Sequence, residues 1–309
     1  MAQDRGSSAR LAVKLRSGLK DRRHPMPILT SSEQIRTQLA AAFGEIEFAP
    51  LIVHSDLVRI GFVPKGRSIE QQLADWLAML LDVCGGRTLL FPTFNYDYAT
   101  TGRYRPESDR GQVGALNEYV RQQVPDQRTL TPIFNFAVLN RAGFPLEPSA
   151  NAFDDASAFG QVRLAGGGVV FLGAGPDANT FIHHVEEAAG VPYRYLKSFP
   201  GRIETGSVQR RVTLLYRVRP AAAGSVEYDW PRLANDLRSR RVLRGFPLGN
   251  ARLEVYRAQE LYSYWLERLE GDEHFLLTED SRRAVNDLYA VHGKPLTCLS
   301  VEGEGRTDL

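Results

Sequence analysis

Apolar residues along this chain fall into short β-branched runs, separated by longer stretches in which they recur every three or four positions. Such runs suit buried strands and such recurrence suits amphipathic helices. Pro50–Val53, Thr88–Phe91, Phe134–Leu139 and Val169–Leu172 therefore read as strands. Ser68–Val83, Ala115–Gln122, Pro231–Arg238, Ala258–Leu269 and Asp280–Val291 read as helices, and Thr30-Ser31-Ser32-Glu33 opens another with the pattern of a capping box. From Arg211 to Arg217 the chain alternates, with Val212, Leu214 and Tyr216 set against Thr213, Leu215 and Arg217. That is the mark of an antiparallel or edge strand, so the sheet is expected to be mixed. The pattern predicts a single α/β domain over residues 28–309, with a central mixed sheet flanked by helices and a C-terminal α+β elaboration. Residues 1–27 are basic, with only a weak apolar period through Leu11, Val13, Leu15 and Leu19, and form an N-terminal extension that is loosely docked or laid on a membrane surface. Strand ends such as His54, Thr93 and Gly173 should gather along one edge of the sheet.

The stretch from Gly166 to Glu187 concentrates the candidate chemistry. A short strand leads through a Gly-rich turn into a helix that Asn179 is placed to cap and that Gly190 and Pro192 end. Phe181, Ile182, Val185, Ala188 and Ala189 fall on one face of that helix, and His183, Glu186 and Glu187 on the other. His183 and Glu186 stand at i, i+3, so the carboxylate can orient the imidazole and make it a general base near neutral pH. A solvated polar face would show the same spacing. A metal site from His183, His184, Glu186 and Glu187 is disfavoured, because adjacent helical side chains diverge by about 100° and no second cluster supplies ligands. No metal is expected. Gly173-Ala174-Gly175-Pro176-Asp177-Ala178 also fits the G-x-G-x-x-A dinucleotide pattern, which leaves a NAD-dependent oxidoreductase as an alternative. Pro176, standing where such a loop would use a backbone N–H, favours a plain strand-to-helix turn.

Composition narrows the partners. A net charge of +2 on 309 residues is too small to imply nucleic acid. Cys84 and Cys298 lack CxxC spacing, so neither a disulfide framework nor a thiolate metal site is indicated, and a reducing cytoplasm fits. No apolar run approaches the roughly 18 residues of a membrane span, and the N-terminus has no signal-peptide core.

Several motifs in order resemble the aminoglycoside 3-N-acetyltransferase, or antibiotic N-acetyltransferase, family. Val53-His54-Ser55-Asp56-Leu57 with Gly61 resembles its V-H-S-S-L turn, Gly86-Arg87-Thr88-Leu89-Leu90-Phe91-Pro92-Thr93-Phe94 its G-T-L-x-x-P-T-F strand, and Arg128-Thr129-Leu130-Thr131-Pro132 its R-S-x-H-P. Phe159-Gly160 resembles its F-G, and Gly168–Gly173 followed by Asn179-Thr180-Phe181-Ile182-His183-His184-Val185-Glu186 its G-x-V-L-L-L-G and N-T-x-x-H-x-x-E. The resemblance implies transfer of an acyl group, chiefly acetyl, from acyl-CoA to an amine, with His183 and Glu186 as the catalytic pair. It implies CoA contacts at His54, Ser55, Asp56, Lys65, Gly66 and Thr93. Acceptor contacts would fall at Asn95, Asp97, Thr131, Asn135, Thr180 and Glu187, and the thioester oxygen needs a donor, for which Thr180 or the helix N-terminal amides are candidates. Thr131 stands where the family usually has His and Asn135 where Ser is common, and Phe159-Gly160 lacks the Ser-Pro that normally follows. The stretch from Tyr193 to Arg219 is basic, whereas a polycationic antibiotic wants an acidic groove. The preferred acceptor is therefore an amino sugar, including one carried on a nucleotide, with aminoglycoside acetylation and antibiotic resistance as the alternative. A homodimer is compatible with the sequence, and a degenerate binding module is the non-enzymatic reading.

Overall fold

The computed structural model describes residues 31–61, 67–221 and 226–303. The N-terminal extension, Lys65 and Gly66 lie outside the described residues. The elements run α1 (Ser32–Gly44), β1 (Leu51–Ser55), α2 (Leu57–Ile60), α3 (Ile69–Val83), β2 (Leu89–Pro92), α4 (Tyr98–Thr101), β3 (Arg103–Tyr104) and α5 (Ala115–Gln123). They continue with β4 (Phe136–Leu139), α6 (Ala158–Leu164), β5 (Gly168–Leu172), α7 (Ile182–Ala189), β6 (Tyr195–Thr205) and β7 (Val208–Val218). The chain then forms α8 (Trp230–Ser239), β8 (Arg244–Leu248), β9 (Ala251–Arg257), α9 (Ala258–Gly271), α10 (Glu279–His292) and α11 (Cys298–Glu302).

The central sheet has six strands in the order β4-β2-β1-β5-β9-β8. β1 lies parallel to β2 and β5, whereas β4, β9 and β8 join antiparallel. β1, β2, β4 and β5 are almost wholly buried, which is why they read as continuous apolar runs. Alternate residues feed two separate cores. Ile52, Leu90, Val169 and Phe171 pack with Val185, Leu233 and Trp265 from α7, α8 and α9. Leu51, Val53, Leu89, Val170 and Leu172 pack with Phe43, Trp76 and Val120 from α1, α3 and α5. The sheet is thus sandwiched between two helical layers.

The Arg211–Arg217 strand corrects the expectation that made the sheet mixed. It belongs to β7, which pairs with β6 from Tyr195↔Val218 to Thr205↔Val208. With β3 these strands build a separate three-stranded sheet. The mixed character of the central sheet comes from β4, β8 and β9 instead. The α1 cap also shifts by one residue: Ser31 Oγ accepts from the Gln34 amide at 3.1 Å, leaving Glu33 in the first turn. Because β1 and β5 are parallel, with His54 opposite Phe171 and Ser55 opposite Leu172, their C-terminal ends share one edge. The start of the candidate helix lies just beyond it.

Candidate active site

The turn from β5 into α7 is built by close approach. Gly173 has φ 71°, and a Cβ there would sit 2.5 Å from the Asp56 carbonyl oxygen and 2.5 Å from Ile60 Cγ1. The chain itself occupies the space that a dinucleotide loop would offer to a pyrophosphate. Pro176–Ala178 then makes a 3-10 turn, and α7 starts after Phe181, which is its N-cap. Asn179 does not cap this helix. It is buried, and its Oδ1 accepts from the Tyr256 hydroxyl at 2.6 Å. A fully buried phenol needs such an acceptor, and that demand outweighs capping.

On α7 the polar face is covered, not solvated. His183 Nδ1 lies 2.8 Å from Glu186 Oε2, and Glu186 is only 1% exposed. The Tyr193 hydroxyl donates to Glu186 Oε1 at 2.9 Å, and Arg194 Nε stands 2.9 Å from Oε2. Arg194 Nη2 donates to the Tyr228 hydroxyl at 2.6 Å, and that hydroxyl is 3.3 Å from His183 Nδ1. Burial alone would raise the Glu186 pKa, but the Arg194 charge and the bonds from His183 and Tyr228 outweigh it and hold the carboxyl at about 2. For His183, burial and then the Arg194 charge lower the pKa below 6.5, more than Glu186 restores. The ring is therefore neutral at pH 7. With an ionised carboxylate at Nδ1, the network assigns the proton to Nδ1 and leaves the lone pair on Nε2. The side chain keeps 26% of its surface open, and the Phe153 ring packs edge-on against it at 5.1 Å. Such a group can accept a proton from a bound nucleophile.

Its neighbour has no such freedom. His184 Nδ1 is bonded to the Phe153 carbonyl at 2.6 Å, and Arg163 Nε donates to its Nε2 at 3.0 Å. Glu187 is set 3.4 Å from Arg217 Nε. Thr180 is half-buried one turn before His183, and its hydroxyl has no partner among the described residues.

The remaining expected residues divide into two groups. Thr93 and Asn135 are fully buried around Arg128, whose Nε donates to Asn135 Oδ1 at 2.9 Å and to Thr93 Oγ1 at 3.1 Å. Thr131 is buried with no side-chain bond among the described residues, whereas Asn95 is tied to the Arg110 carbonyl at 2.9 Å and exposed Asp97 accepts from Gln112 Nε2 at 2.9 Å, so that with Thr93 and Asn135 the latter two hold their surroundings together. Ser55 and Asp56 instead line a cleft of about 350 Å³ at the ends of β1 and β5, together with Arg59, Gly114 and Asp177. Gly114 precedes α5 with no side chain capping the first amides, which leaves them free for an anion. Arg59, 57% exposed, adds a cation and is held by Asp56 at 3.1 Å. The charged side chains lining the cleft are one cation, Arg59, and two carboxylates, Asp56 and Asp177. His54 does not line it: the ring stacks on Phe171 at 5.6 Å, and burial pushes its pKa down to about 4.

Tyr193, Arg194, Tyr228 and Phe153 were not singled out as site residues from sequence. The one local signal is the Tyr-Arg pair directly after the Gly190 stop. Tyr228 and Phe153 carry no local signal.

A sequence profile of the aminoglycoside 3-N-acetyltransferase family matches residues 52–270, most of the chain. The chain belongs to this family. Family membership makes it an acyl-CoA-dependent N-acyltransferase with acetyl-CoA as co-substrate, and it displaces the nicotinamide reading of the Gly173 turn. Among curated proteins, no sequence matches. Solved structures share the fold. The aminoglycoside acetyltransferase AAC-IIIb, in a binary complex with CoASH, superposes with TM-score 0.64 at 21% identity, over 79% of this chain and 97% of that one. AAC-VIa bound to sisomicin gives 0.63 at 19% identity, over 79% and 98%. YokD protein from Bacillus subtilis gives 0.59 at 15% identity, over 80% and 96%. Among the described residues, no helix is long and apolar enough to cross a membrane.

Proposed function

We propose that this enzyme acetylates an amine of an aminoglycoside by direct transfer from acetyl-CoA, with His183 as general base and Glu186 as its orienting carboxylate. The observation that carries the proposal is the His183–Glu186 bond on a ring still partly open, in a chain whose family is defined by this transfer. The family match supports an aminoglycoside better than the amino sugar, free or carried on a nucleotide, that the sequence favours.

In this reading His183 Nε2 takes a proton from the acceptor nitrogen as that nitrogen bonds to the thioester carbon. Glu186 stabilises the imidazolium so formed. The Thr180 hydroxyl, without a partner among the described residues, would donate to the carbonyl oxygen as negative charge develops there. The C–S bond breaks, and the imidazolium returns its proton to the departing thiolate. Ser55, the first amides of α5 and Arg59 would hold the donor's phosphates. Two free cysteines and a CoA-dependent reaction fit a cytoplasmic enzyme.

One observation favours a second acceptor. Arg194 and Arg219 both lie near enough to His183 to depress its pKa, and Arg219 has no ionic partner among the described residues. An amino sugar carried on a nucleotide would supply phosphates to such a cation. Thiol release from acetyl-CoA, followed with aminoglycosides, free amino sugars and nucleotide-linked amino sugars, separates the readings. Turnover with aminoglycosides supports the first, and turnover confined to nucleotide-linked sugars selects the second. No release above the His183→Ala background with any amine would overturn both.

A further inference from the structure

We infer that Arg194, seated by Tyr228, is a positioning residue that fixes which nitrogen of His183 carries the proton. The inference rests on the reading of His183 as the base.

Glu186 is a carboxylate sealed from water, and sealing alone would make it a neutral acid at pH 7. A neutral carboxyl group would present an O–H to His183 Nδ1. The imidazole would then hold its proton on Nε2, the one nitrogen open to a substrate, and could accept nothing there. Arg194 prevents this inversion. Its Nε stands 2.9 Å from Glu186 Oε2, its Nη2 donates to the Tyr228 hydroxyl at 2.6 Å and its Nη1 donates to the Arg217 carbonyl at 3.3 Å. The guanidinium is thus held on three sides in a pocket where its side chain is 8% exposed. The Tyr228 hydroxyl accepts from Arg194 and stands 3.3 Å from His183 Nδ1, so it seats the guanidinium beside the pair. Tyr193 donates to the other carboxylate oxygen of Glu186. Glu186 thus meets the Tyr193 hydroxyl and His183 Nδ1 as hydrogen-bond partners and the Arg194 charge at 2.9 Å, which together favour its ionised form.

The groups facing the pair come from four elements. Glu186 lies on α7 itself, Tyr193 and Arg194 on the segment before β6, Tyr228 on the segment before α8, and Arg219 just beyond β7. Among these, Arg194 is the cation in contact with the carboxylate. Arg219 acts on His183 from farther away and touches neither partner.

The test uses full-length protein in four forms: wild type, Arg194→Met, Arg194→Lys and Tyr228→Phe. Nitrogen-15 spectra of histidine-labelled protein, recorded without substrates, report which ring nitrogen is protonated. Parallel pH profiles of kcat/KM report the acid limb. Wild type should show the proton on Nδ1 and an acid limb below pH 6.5. Arg194→Met should move the proton to Nε2, lower kcat at pH 7 by about 100-fold and shift the acid limb upward by about 1–3 pH units, with KM for acetyl-CoA little changed. Arg194→Lys keeps a cation and should restore the limb. Tyr228→Phe, which removes one seat of the guanidinium, should shift it in the same direction by less, and it serves if Arg194→Met does not fold. A wild-type tautomer and limb in the folded Met or Phe variant would overturn the inference. The tautomer measurement needs no turnover, so absence of acetyl transfer by wild type would sink the functional reading without deciding this one.

Discussion

Successive residues on a helix point about 100° apart, and His183 and His184 show what that angle decides. His184 turns inward and spends both nitrogens on Phe153 and Arg163, whereas His183 keeps one nitrogen toward the open side. His183→Ala should therefore fold and lose about 10²–10⁴ of kcat, as removal of a general base does, whereas Glu186→Gln, which leaves Arg194 buried without its counter-charge, should lose turnover and also about 3–5 kcal/mol of stability. In wild type the active, neutral form of His183 is lost only as pH falls through its lowered pKa, so turnover should persist below pH 6.5. His54 carries a separate pH dependence. Its neutral ring contributes stability in full above pH 6.5, and the contribution is lost as pH falls from 6.5 toward about 4. That displacement is worth at most about 3 kcal/mol. Urea midpoints measured from pH 7 to pH 4.5 should fall less steeply in His54→Phe than in wild type, and equal slopes would show that the buried ring is not the titrating group. His183 and Glu186 were legible in sequence because their spacing is local. Arg194 and Tyr228 were not, because only the folding of later segments back onto α7 brings them to the carboxylate.

Among elements, legibility followed burial. β1, β2, β4 and β5 are apolar throughout because helices cover both their faces, so each announces itself as a run. β6 hides. Its residues alternate between exposed and half-buried, and Pro200 and Gly201 interrupt it where it meets its neighbours. Gly201 is required there by contact: a Cβ would lie 2.3 Å from the Gly102 carbonyl oxygen and 2.7 Å from the Tyr98 hydroxyl. The same hydroxyl donates to the Phe199 carbonyl at 3.2 Å, and Arg202 N donates to Gly102 O at 2.9 Å. Gly201→Ala should loosen the join between β3 and β6 and destabilise the protein by about 1–3 kcal/mol, read as a lower thermal midpoint. Since β7 sets Arg217 against Glu187 on α7, turnover should fall as well. A midpoint equal to that of wild type would mean that the strand accommodates the methyl group by shifting. Helix α7, at eight residues, is too short to be stable in isolation and depends on Ile182 and Val185 in the core to hold its register.

At the scale of the molecule, the α/β class and the strand edge that carries the candidate site were readable from strand and helix periods, whereas the division into two sheets was not, since an alternating strand does not reveal which partner it pairs with. That edge has a further consequence. The α5 amides proposed to hold the donor's phosphates belong to the helical layer on one side of the central sheet, and His183 belongs to the layer on the other. An acyl donor anchored at α5 must reach around the ends of β1 and β5 before its carbonyl meets the base. On the proposed anchoring, the strand edge would work as a length gauge, admitting donors by the reach of the arm between anchor and acyl group. Acetyl phosphate, whose acyl carbon sits directly on the anchoring group, should give no turnover, and an acetyl thioester of a truncated arm lacking the phosphates should show a much raised KM. Equal rates with short and long donors would mean that the acyl group enters by another route.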